Sequence, residues 1–303
     1  MQELFSLMGM MFLMMAAGFL LYKGKLITDQ GKKSIVNIIL YVLLPCNIVK
    51  AFCIETDSGF WISFFQVLFV AVAVQILSMA VASFLYNRMP QNEKKVFQYG
   101  TICSNAGFMG NPLAQGVFGD TGLLYASVFL IPLRIVMWTA GVSYFTDNGN
   151  KKEAIKKVLV HPCMIAVYIG IFLMLTQFPL PGVMDKTIRS FSGGCTGMTM
   201  LYIGTILADV DIKALLDMHQ IFFAIIRLLI LPLLVLAGCK LGGIDSLVTG
   251  VCVLLTATPA GSTTSILAAK YGADEMAAAK CVVFTTALSV ISIPIWSMIL
   301  MHI

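Results

Sequence analysis

Residues 60–86 run for 27 positions without a charged side chain. A helix of that length crosses the roughly 30 Å hydrocarbon core of a bilayer, and little in a small soluble fold could bury it. Similar apolar runs recur down the chain, parted by short polar loops. Hydrophobic residues make up 59% of the sequence and charged residues 12%, where average usage is nearer a quarter charged. The chain therefore reads as an all-α polytopic membrane protein, with the lipid bilayer as its first partner. At about 20 residues per span, 303 residues leave room for about ten helices. No basic stretch precedes the first apolar run, which argues against a cleaved signal peptide.

The expected spans cover residues 4–22, 34–53, 60–86, a fourth ending near 119, then 123–145, 158–176, 188–207, 218–239, 246–270 and 275–301. Basic residues follow the odd-numbered spans of the first half: Lys23, Lys25, Lys32 and Lys33, then Arg88, Lys94 and Lys95, then Lys151, Lys152, Lys156 and Lys157. Positive loops stay inside, so these loops are expected in the cytoplasm and both termini outside, in a multi-pass protein of a plasma membrane, most simply a bacterial inner membrane. The bias weakens in the second half, where Asp209, Asp211, Lys213 and Asp217 share a loop. The net charge of +5 is spread over these loops and not gathered on a soluble module, which excludes nucleic acid as the expected partner. Eight cysteines without metal-ligand spacing read as small buried hydrophobes.

Two of the apolar runs are broken. Residues 104–112 read Ser-Asn-Ala-Gly-Phe-Met-Gly-Asn-Pro, and residues 256–265 read Thr-Ala-Thr-Pro-Ala-Gly-Ser-Thr-Thr-Ser. Gly107 and Gly110 loosen the backbone, and Pro112 removes a donor and disfavours helix at Asn111. Unwound backbone at membrane depth survives only inside protein or beside a watery cavity, and such breaks are where secondary transporters hold substrate. Sliding the chain by 153 residues lays one break on the other, Asn105 on Thr258, Gly107 on Ala260 and Pro112 on Ser265. Five spans per half is an odd number. Residues 1–150 and 151–303 are thus expected as inverted five-helix repeats, with broken helices 4 and 9 crossing at the midplane.

Candidate site residues follow from that plan. Asn105, Gly107, Asn111, Pro112, Pro259, Ser262 and Thr263 belong to the breaks, and Asn47 lies beside Pro45 in the second span. Arg134 and Arg227 sit mid-span, where charge costs at least about 2.5–3.5 kcal/mol, so each should face a cavity, a partner or the carbonyls of a broken helix. Guanidinium pairs bidentately with carboxylate, so one or both are expected to draw an anionic substrate into the cavity, with snorkelling or capping of broken-helix carbonyls as the alternative for each. All fifteen Asp and Glu fall in loops or near span ends, leaving no midplane carboxylate as a proton relay. Asp120, after Gly119 in a turn, reads as a loop or cap residue. Sodium could bind through hydroxyls and carbonyls around Thr258, Ser262, Thr263 and Thr264, so coupling to H+ or Na+ stays open. His161, His219 and His302 read as interface residues, and the methionines between Met8 and Met15 as packing or lipid-facing surface. No nucleotide loop, nucleophile triad or metal cluster is present, and no cofactor is expected.

Leu-Pro in span two, the span-four motif through Leu113, the basic loop after span five and Ala-Thr-Pro-Ala-Gly-Ser in span nine together resemble the auxin efflux carrier family, which includes plant PIN-type carriers and bacterial malate or malonate permeases. The resemblance covers essentially the whole chain. It implies ten helices, external termini, export or exchange of organic anions, and crossover roles for Asn105, Gly107, Pro112 and Pro259, supported by Pro45 and Asn47. It also implies that helices 1, 2, 6 and 7 form a scaffold and a homodimer face. The long cytoplasmic loop of the plant carriers is absent. A sodium-coupled symporter of the bile-acid type has the same crossed-helix plan and is the alternative. An intramembrane enzyme lacks a catalytic constellation here, and a channel lacks a charged ring.

Overall fold

The computed structural model describes residues 2–53, 58–141, 143–145, 159–160, 162–208, 217–261 and 263–302. The basic loop at Lys151–Lys157, Asp209, Asp211, Lys213, His161 and Ser262 lie outside the described residues. Within them every regular element is helical, apart from one isolated β-bridge. The helices are α1 (Gln2–Lys23), α2 (Asp29–Phe52), α3 (Ser58–Leu85), α4 (Gln91–Ile102), α5 (Ala106–Gly141), α6 (Pro162–Thr176), α7 (Gly182–Ala208), α8 (Met218–Leu241), α9 (Ser246–Thr256), α10 (Thr263–Tyr271) and α11 (Glu275–Leu300). Six of these are long and apolar enough to cross a membrane unaided: α2, α3, α5, α7, α8 and α11. The short pieces α4 and α9 each lead into a break.

Acidic residues start several helices, as the bias of polar side chains to helix ends requires. Asp217, Asp245 and Asp274 each accept a hydrogen bond from a first-turn N–H of α8, α9 and α11, satisfying donors that no carbonyl reaches. At Gly119, with φ 68°, α5 doubles back sharply enough that a Cβ on Gly122 would strike the Ala114 carbonyl. A left-handed residue of this kind is available to glycine at no steric cost.

Three of the prolines inside helices are handled in one repeated way, while Pro132 and Pro294 lie within α5 and α11. In Leu44-Pro45, Asn111-Pro112 and Leu231-Pro232 the residue before proline bonds five back, to the carbonyls of Ile39, Ala106 and Ile226. The helix widens by one residue into a π-turn and continues through the missing donor. Asn111 is consequently helical (φ −58°, ψ −52°), and the true break lies upstream at Cys103–Asn105. The carbonyl of Leu228, whose α-helical partner would be the nitrogen of Pro232, accepts instead from the Trp296 indole at 2.8 Å. Trp296→Phe is expected to destabilise the protein by about 1–2 kcal/mol through that orphaned carbonyl. Thermal unfolding in detergent checks this, and an unshifted melt would mean that the carbonyl is otherwise satisfied.

The helices pack as two groups. In one, α1 lies along α7 while α2 lies against α6 and α7. In the other, α3, α4, α5, α8, α9, α10 and α11 pack together around the breaks. Glycines set the first group: a Cβ on Gly18 or Gly204 would strike the backbone of Leu201 or Met15, and one on Gly170 would lie 2.7 Å from the Phe52 ring. Helices approach this closely in membranes where small residues line the contact. Between the groups, Met11, Met15, Met109 and Met200 line a small cavity along the seam. The early methionines are thus mixed in role, with Met11 and Met15 buried and Met10 exposed.

Candidate functional site: two crossed helix breaks

The bridge pairs Ser104 with Ala260, where the chain between α4 and α5 meets the chain between α9 and α10. Asn105 N donates to the Pro259 carbonyl at 2.7 Å, and Gly261 N donates to the Cys103 carbonyl at 2.8 Å. Exchanging the segments turns one bond into the other, because 156 residues separate Cys103 from Pro259 and likewise Asn105 from Gly261. Structurally Asn105 therefore answers to Gly261 and not to Thr258, the partner given by an offset of 153. Pro259 suits this arrangement, since only its carbonyl is used. Gly261 suits it because a Cβ there would sit 3.2 Å from the Cys103 carbonyl oxygen and 3.3 Å from that of Ser104. The Ala260 N–H donates to Thr285 Oγ1 on α11.

Four helix ends converge on this crossing. Two are N-terminal, at Ala106 and Thr263, offering donors and the positive end of a helix dipole; two are C-terminal, at Ile102 and Thr256, offering carbonyls. Asn105 stands at the N-cap position of α5, yet its side chain makes no capping bond and no hydrogen bond to any described residue. Beside it, a Cβ built on Gly107 meets nothing within 4 Å. A free amide, free first-turn N–H groups and open space thus share one spot. Gly110 is packed differently, 3.2 Å from Leu255 by the same measure, and closes the crossing on the α9 side. Asn111 is fully buried, and neither its amide nitrogen nor its oxygen meets a protein partner.

The remaining candidates separate by environment. Asn47 accepts from Ser192 Oγ at 2.6 Å, tying α2 to α7, and its Nδ2 is unpartnered. Thr263 Oγ1 accepts from Tyr99 Oη at 3.2 Å, and Thr258 Oγ1 donates to the Leu255 carbonyl, so each hydroxyl is engaged by its own neighbour. Thr264 Oγ1 is buried without a partner. Arg134 is buried, with Nη1 unpartnered. Arg227 donates from Nη1 to the Thr101 carbonyl at 3.2 Å, in the last turn of α4. Sequence reading singled out neither Tyr99 nor Thr285 at the crossing, because neither disturbs the helical pattern that carries it. No cluster of metal-ligating side chains occurs among the described residues, and all eight cysteines are free.

Away from the crossing, Lys50 on α2 reaches Asp120 in the α5 bend at 3.2 Å, with Gln115 Nε2 donating to the same carboxylate oxygen. His219 pairs with Glu93 at 3.1 Å.

A polytopic helical protein whose two broken helices cross at a spot of free donors is a membrane transporter in plan. The model of the membrane transport protein family matches residues 4–158 and 151–297, and the chain belongs to that family, the one that holds the auxin efflux carriers. Among its relatives is a protein of Methanocaldococcus jannaschii described as an uncharacterized transporter, 23% identical over 91% of this chain and 92% of the relative. Another, from Methanothermobacter thermautotrophicus, carries the same description and is 25% identical over 65% of each chain.

Proposed function

We propose that the protein carries small organic anions, dicarboxylates or auxin-like carboxylates, across a plasma membrane by alternating access at the crossing of its broken helices. The observation that carries this reading is the open spot over Gly107, bordered by the uncapped Asn105 amide and the first-turn N–H groups of α5. An anion placed there meets donors already oriented toward it, the way half-helix N-termini hold anionic groups in broken-helix carriers. Arg134, buried without a carboxylate partner among the described residues, is a second place in the membrane-spanning part where an anion would meet positive charge. The two packing groups supply the moving parts. Helices α1, α2, α6 and α7 act as the scaffold, offer a face for a second copy, and rock against the crossover group along the methionine seam, whose unbranched side chains re-pack readily. Lys50–Asp120 then closes one mouth. The paired contacts of α1 with α7 and α2 with α6, and the interchange of the two bridge bonds, support two inverted halves divided near residue 150; ten crossings and external termini follow in this reading from the apolar runs and the basic loops.

Reconstitution in liposomes tests the reading, with labelled malate and indole-3-acetate as probes and sodium and pH gradients imposed separately. Saturable uptake of either acid, competed by the unlabelled acid, is expected. Single-channel currents in place of saturable flux would overturn the carrier mechanism, and the response to pH would decide between proton coupling and facilitated flux.

A further inference from the structure

Arg227 is 2% exposed, lies in the π-turn of α8 and makes one hydrogen bond, to the Thr101 carbonyl; its Nε has no protein partner. No carboxylate among the described residues pairs with it. What balances its charge is the carbonyl end of α4. There Cys103 N covers the Tyr99 carbonyl, and Gly261 N covers that of Cys103. The Thr101 carbonyl is left to the guanidinium, at the end of a helix that carries about half a negative charge.

The equivalent end of α9 is closed differently. There the Leu255 carbonyl accepts from the neutral Thr258 hydroxyl and the Val253 carbonyl from Ala257 N. One carbonyl end is therefore neutral-capped and the other charge-capped. In broken-helix carriers, unwound carbonyls and half-helix C-termini are where a coupling cation is coordinated. A cation entering beside Thr101 would meet a fixed positive charge already bonded to its ligand, in a low-dielectric setting where like charges repel strongly.

We propose that Arg227 is a resident cation that takes the place of a coupling ion at the carbonyl end of α4 and renders the protein indifferent to sodium. The inference rests on the carrier reading above and adds the source of charge in its cycle: the protein brings its own. The guanidinium-bearing residue belongs to the π-turn, Ile226–Ile230, that precedes Leu231 and Pro232.

The test compares thermal unfolding of the purified, detergent-solubilised protein in equimolar sodium chloride and choline chloride. Wild type is expected to melt at the same temperature in both. Arg227→Gln, which frees the carbonyl and removes the charge, is expected to melt lower than wild type in choline and to recover by about 2–4 °C in sodium, as a ligand of the native state must stabilise it. Arg227→Lys keeps the charge and should stay insensitive. A sodium-dependent shift in wild type, or a folded Arg227→Gln variant that ignores sodium, would overturn the proposal. If Arg227→Gln is unfolded in choline, a folded fraction recovered in sodium is the expected result, and none in either salt would overturn the proposal. No transported substrate enters this measurement, so its failure leaves the carrier reading intact, while failure of anion flux in liposomes strikes that reading alone.

Discussion

Gly204→Leu is expected to leave almost no monodisperse protein after solubilisation, the largest structural effect of any single change considered. The reason is local and steric. Where α1 and α7 cross, Gly204 rests on the Met15 carbonyl and Gly18 on that of Leu201, so backbone meets backbone with no side chain between them. A Cβ alone would already collide, and backbone on both sides has no rotamer to yield. Overpacking ordinarily costs about 1–3 kcal/mol and more where nothing can move, so even Gly204→Ala should lower the melting temperature clearly. Leucine would force the helices apart by the width of a side chain and strip the contact of the dispersion energy that replaces the hydrophobic effect inside a bilayer. Gly18→Ala combined with Gly204→Ala should cost less than the sum of the two, because one separation of the helices relieves both clashes. Size-exclusion profiles and thermal melts check the series. A Gly204→Ala protein that melts with wild type would mean that α1 and α7 do not cross this closely.

The spans were legible because hydropathy is a property of the residues themselves. The class of protein was legible because glycine and proline inside an apolar run leave few structures a bilayer tolerates. Detail was lost wherever backbone answered backbone. Pro112 signals a break at Asn111, yet the chain is helical there, since a π-turn lets Asn111 N reach Ala106 and the unwound residues fall at Cys103–Asn105. An offset of 153 aligns the apolar patterns, but the two bridge bonds interchange at 156, a difference that no side-chain pattern records. Arg227 was legible as costly and functional in some sense; that its partner is the Thr101 carbonyl depends on the crossing of helices 126 residues apart in sequence. Gly18 and Gly204 carried no sequence signal of their own, since a lone glycine in an apolar helix reads the same whether a helix or lipid faces it.

Asn105→Ala is expected to abolish measurable anion flux while leaving the melting temperature near that of wild type. The two halves of this expectation have separate grounds. Stability should hold because the Asn105 side chain caps nothing and bonds to no described residue, while the backbone bonds that fix the crossing, from Asn105 N to Pro259 and from Met109 N to the Asn105 carbonyl, survive the substitution. Transport should fail because a hydrogen bond to a charged group contributes about 1.5–3 kcal/mol, some 10- to 100-fold in occupancy of the site, and the amide sits beside the open space over Gly107. Asn105→Asp sharpens the comparison. It is nearly isosteric and replaces the donor with a carboxylate, so an anionic substrate is repelled and flux should fall at least as far as with alanine. If Asn105 only braced the crossing, the isosteric change would be the milder of the two. Wild-type flux in both variants would move the substrate away from the crossing, toward Arg134 or Asn47, and the order of the two losses separates recognition from packing.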